Sequence, residues 1–160
     1  VTKWLTFNVS WGSARGGTWA AGARCFWEAD FLHKIFGVGP DCLYAFLSNE
    51  GSVGLQTMVN DRFGGNRLTN AHNEWLTTLI NLGVLGTAAY AAVFLTALRK
   101  YRRNSMAIMQ LFTYGMYSLI SFQQVLNTPF FFLLLGVCEA EQRMNQQYNT
   151  DTHEESIEVG

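Results

Sequence analysis

A long apolar stretch of the chain runs from Trp75 to Leu98, where 24 consecutive residues carry no charge. As a helix this run would extend about 36 Å, enough to cross a bilayer with some tilt. The pattern predicts a transmembrane helix over residues 72–98, opened by the polar His72-Asn73-Glu74 and closed by Arg99-Lys100-Tyr101-Arg102-Arg103. Four cations at a membrane end assign the 99–105 loop to the cytoplasm, so residues 1–72 are extracytoplasmic. A second apolar run over 106–126 returns through the membrane. Its polar residues, Gln110, Thr113 and Ser118 among them, favour a bundle interior over lipid. Asn127-Thr128-Pro129 ends it, and residues 129–140 form a short transmembrane or half-spanning helix.

Upstream the pattern changes. Trp19, Ala23, Phe26, Trp27, Phe31 and Ile35 recur at helical spacing with Arg24, Glu28 and Asp30 between them. That predicts an amphipathic helix at about 18–35, too polar to cross the membrane and suited to lie against it. Gly37-Val38-Gly39-Pro40 stops that helix, and the residues from Asp41 to Leu47 suit a further short one. Residues 48–70 read as a polar, Gly-rich loop, and Asn70 as the cap of the helix that follows. Residues 1–18 suggest a loop or short strand near the membrane surface, with an Asn8-Val9-Ser10 triplet of glycosylation type. The tail at 141–160, with Asp151, Glu154, Glu155 and Glu158, is expected to be disordered and cytoplasmic. The expected fold class is therefore an all-α integral membrane protein whose residues 1–71 form a large extracytoplasmic loop with amphipathic helices.

Composition adds mainly exclusions. A net charge of −1 argues against nucleic-acid binding, which needs a basic surface. The three cysteines, Cys25, Cys42 and Cys138, lack metal-ligand spacing, although Cys25 and Cys42 could form a disulfide on the outer side. His33, His72 and His153 lie in three separate segments, so no metal site and no cofactor is expected.

Candidate chemistry concentrates at His72. On a continuous helix His72, Leu79, Gly83, Gly86 and Tyr90 share a stripe about 60° wide. Glycines on such a face let another backbone approach closely. The positive end of a helix dipole disfavours imidazolium, leaving the neutral ring that a general base needs. Taken alone, such a histidine reads as a cap at the lipid headgroups. Arg15, four residues before Trp19, reads alone as an exposed guanidinium resting on an aromatic ring. Arg62 reads as a surface cation, and Arg67 stands five residues before His72.

His72-Asn73, nine intervening residues and Gly83-Val84-Leu85-Gly86-Thr87 form a pattern that resembles the signature of the O-antigen ligase and polymerase superfamily of bacterial envelope glycan enzymes. Trp11 to Trp19 and Phe36 to Asp41 resemble the extracytoplasmic loop that precedes it in that family. The resemblance covers the C-terminal part of such enzymes, which have roughly a dozen spans, and implies a fragment of a polytopic GT-C-like helical bundle. It implies transfer or polymerisation of a glycan from undecaprenyl diphosphate onto a hydroxyl of a glycan or glycolipid acceptor, outside the bacterial cytoplasmic membrane. His72 and Arg15 would be catalytic. Arg15, Arg67, Asn73 and Glu74 would bind substrate, and Gly83, Gly86 and Thr87 would serve helix packing. The partners are then the bilayer, the lipid-linked donor, the acceptor and the enzyme's N-terminal spans. Two other readings stand beside it: a non-catalytic truncated remnant or partner subunit of a split enzyme, and, more weakly, a transporter.

Overall fold

The computed structural model describes residues 11–64, 67–121 and 128–158. Among them the chain is all-helical: α1 (Trp11–Glu28), α2 (Phe31–Phe36), α3 (Leu43–Asn49), α4 (Val53–Phe63), α5 (Glu74–Lys100), α6 (Ser105–Ile120) and α7 (Thr128–Glu158). Among the described residues one helix, Glu74–Lys100, is long and apolar enough to cross a membrane. The Asn8-Val9-Ser10 triplet and the expected end of the second span at 122–127 lie outside the described residues.

The helical boundaries correct several expectations. The amphipathic segment at 18–35 is two helices, because Asp30 caps α2 by accepting from the His33 amide and cannot also continue α1. The expected polar loop at 48–70 contains α4. Ser52 opens α4 by accepting from the Leu55 amide at 3.2 Å, and Gly64 closes it at φ 57°, a left-handed cap. Helix α7 runs on to Glu158, through most of the tail expected to be disordered. Cys25 and Cys42 are both free thiols, and burial, helped by the nearby Glu28 carboxylate, pushes Cys25 up to about 11.

Two cores result. The first gathers Ala21 and Cys25 of α1, Leu43 and Leu47 of α3, Leu55 and Val59 of α4, and Ala71 and Ile80 around the start of α5. The second joins Phe94 of α5, Leu111 and Tyr114 of α6 and Phe131 of α7. Its rings overlap closely: Tyr114 and Phe131 stack at 4.0 Å between centroids, and Phe94 stacks on Phe131 at 5.5 Å.

α5 crosses from one core to the other and is broken on the way. Gly83 has φ 67° and ψ −168°, outside helical space and in a region reserved almost wholly for glycine. A break frees carbonyls at the end of the first half, and these need other donors. The Ile80 and Asn81 carbonyls accept from the Val38 amide at 2.9 Å and the Gly39 amide at 3.0 Å. The approach works only because both sides lack a side chain: a Cβ on Gly83 would overlap the Ile35 carbonyl, and one on Gly37 the Asn81 carbonyl. The Thr87 hydroxyl donates to the Gly83 carbonyl at 2.8 Å and ties the second half of α5 back across the break.

Candidate functional site

His72 precedes α5 and is not its first residue. Asn73 is the cap, its side chain accepting from the Leu76 amide at 2.9 Å, whereas Asn70 makes a tight turn by accepting from the His72 amide at 3.0 Å. That turn places His72 at φ 50°, a left-handed conformation uncommon for a residue with a side chain. Surrounding bonds fix it: Thr18 donates its hydroxyl to the Ala71 carbonyl at 3.2 Å, Ala71 donates its amide to Thr77 at 3.2 Å, and the Trp19 indole points at the His72 carbonyl at 3.4 Å. The strained turn is thus held between α1 and α5, half-buried and outside the apolar run.

This geometry brings Arg15 and His72 together from 57 positions apart. Thr18 links the two segments, since its hydroxyl meets the backbone carbonyls of Arg15 at 2.8 Å and of Ala71 at 3.2 Å. Burial holds the imidazole below its ordinary pKa of 6.5, and the Arg15 cation lowers it further. A neutral imidazole beside an exposed guanidinium can accept a proton while the cation meets an anion.

Other residues of the pattern are placed differently. Arg67 is turned towards α3, with its guanidinium over the Tyr44 ring at 5.1 Å. Arg62 of α4, read from sequence as a surface cation, lays its guanidinium across Gly17, one residue from Thr18; a Cβ there would collide with it. The signal for this was the Gly16-Gly17 pair next to Arg15, which leaves α1 bare where Arg62 crosses.

Asn73 and Glu74 face the fold and not an open site. The Asn73 side chain also donates to the Leu119 carbonyl at 2.7 Å, pinning the start of α5 to the end of α6. Glu74 is 1% exposed. It accepts from the Tyr90 hydroxyl and, at 3.4 Å, from the Tyr114 hydroxyl, which also meets Thr128 at 3.2 Å. Beside it the Trp75 indole donates to Ser118 at 2.9 Å. Gly83 meets the α2–α3 connection, not another span, and Gly86 faces Leu82 of its own helix. Among the described residues no group of three His, Cys, Asp or Glu side chains is arranged to hold a metal.

Comparison with known protein families, with curated proteins and with solved structures finds no match to this chain.

Proposed function

We propose that the chain is the C-terminal part of a polytopic membrane glycosyltransferase that moves a glycan from undecaprenyl diphosphate to an acceptor hydroxyl outside the bacterial cytoplasmic membrane. The observation that carries this reading is the convergence of its two motif runs. Arg15 comes close enough for its charge to act on His72, and Gly37-Val38-Gly39 clasps the break at Gly83. The membrane setting is supported by α5, whose Val84, Leu85 and Leu95 are each more than half exposed.

In the proposed reaction the acceptor oxygen bonds to the anomeric carbon as the bond from that carbon to the diphosphate breaks. The diphosphate leaves with the bonding electrons, and His72 takes the hydroxyl proton. Arg15 binds diphosphate oxygens, for which a guanidinium fork is suited. Arg62 is the better-placed second cation, and Arg67 is the alternative.

The test uses the complete enzyme. His72→Ala should lower transfer by about 10²–10⁴-fold while donor binding persists, the scale for losing a general base. Arg15→Ala should weaken donor binding. Wild-type transfer by His72→Ala would remove the catalytic role and favour the second reading, a non-catalytic partner subunit or remnant. For orientation, a reporter active only outside the cytoplasm should work when fused after Thr69 and fail after Arg103.

A further inference from the structure

At the basic end of α5 the chain has a polar pocket that opens into an apolar groove. The pocket, about 280 Å³, lies where Arg103 and Asn104 meet Glu141 and Gln142 of α7. Its neighbour Glu139 is already engaged: Lys100 stands at 2.5 Å, the Tyr101 hydroxyl at 2.7 Å and Arg143 at 2.8 Å. Arg103 and Glu141 have no ion-pair partner among the described residues.

The groove, about 880 Å³, runs between α6 and α7 past Met106, Met109, Leu134 and Val137. Asn104 and Glu141 line both spaces. A cation and an anion thus line a polar pocket that adjoins an apolar groove.

The geometry points to a bound membrane phospholipid with an ethanolamine head, its phosphate on Arg103, its ammonium on Glu141, and an acyl chain in the α6–α7 groove. Charge complementarity selects this occupant. A choline head has no N–H to give Glu141, and free phosphate would leave the groove empty. An anionic head without an amine would leave Glu141 unmatched. This inference rests on the membrane reading but not on the chemistry proposed for His72, because it concerns the opposite end of α5.

The test reconstitutes the chain in bilayers of equal phosphatidylethanolamine and phosphatidylcholine, then measures by native mass spectrometry the lipid kept after extraction. Wild type should hold the ethanolamine lipid about tenfold over the choline lipid, the scale of one charge-assisted bond. Glu141→Gln should abolish that preference while lipid is still held. Arg103→Gln should lower retention of both lipids, as should Leu134→Trp, which fills the groove without touching a charge. Equal retention by wild type, or an unchanged preference in Glu141→Gln, would overturn the site. Alkaline extraction separates the two levels: a chain that stays in the membrane without lipid preference loses only this site, and a chain released from it loses the membrane reading too.

Discussion

The core around α1–α4 is mainly aliphatic and closed at its edge by backbone, with Leu43, Leu55 and Ile80 inside and the Gly37–Gly83 clasp beside them. The core between α5, α6 and α7 is aromatic and closed by side chains, with Tyr114 stacked on Phe131 and the Glu74 carboxylate held by two tyrosine hydroxyls. The two respond to change in different ways. A backbone joint tolerates no added atom, because a carbonyl cannot rotate out of the way. A ring stack yields by degrees, because neighbouring rings can shift. His72 sits beside the first core, in a turn whose position follows from side-chain bonds made by Thr18, Asn70 and Trp19 more than from helix propensity.

Glycine replacements separate the two cores most sharply. Gly83→Ala forces a side chain into glycine-only backbone space and against Ile35, so it should cost about 2–4 kcal/mol. Proteolysis should then open the segment between α2 and α3. Gly115→Ala in α6 and Gly136→Ala in α7 meet nothing within 4 Å and should gain up to about 1 kcal/mol from helix propensity. Thermal unfolding of the three variants checks the ordering, and equal losses would erase the distinction.

A smaller effect is expected at the seam. Glu74→Ala removes the acceptor shared by Tyr90 and Tyr114 and should destabilise the aromatic core by about 1–3 kcal/mol. Glu74→Gln keeps an acceptor and should recover most of that loss. If the two variants lose the same stability, the carboxylate is not held by these hydroxyls. The smallest effect belongs to Arg67→Ala, which loses one exposed contact with Tyr44, worth about 0.5–1 kcal/mol. It should leave donor binding intact, whereas Arg62→Ala should weaken it.

The long apolar run was legible as a helical element because 24 uncharged residues carry no break stronger than a glycine. Gly37 and Gly39 were legible as a turn. Their partner at Gly83 was not, because a glycine in an apolar stripe reads equally as a packing face and as a break. Helix α4 was hidden by its short buried stripe, mainly Leu55 and Val59, amid polar residues. Asn70 and Asn73 are equally good caps by residue type, and only the turn that Thr18 and Trp19 fix from 53 residues away decides between them. Glu74 looked available for chemistry because neither Tyr90 nor Tyr114 is near it in sequence.

The central claim, that Arg15 tunes a neutral His72 for proton transfer, is tested most directly by the pH dependence of transfer in the complete enzyme at saturating donor. The imidazole titrates below 6.5 because burial and Arg15 disfavour its charged form. Transfer should therefore rise with pH through a midpoint below 6.5 and level off above it. Arg15→Gln removes the cation and should move that midpoint upward, while Arg15→Lys keeps the charge and should leave it nearly in place. A midpoint that does not move in Arg15→Gln, with transfer still dependent on His72, would contradict the coupling of the two residues.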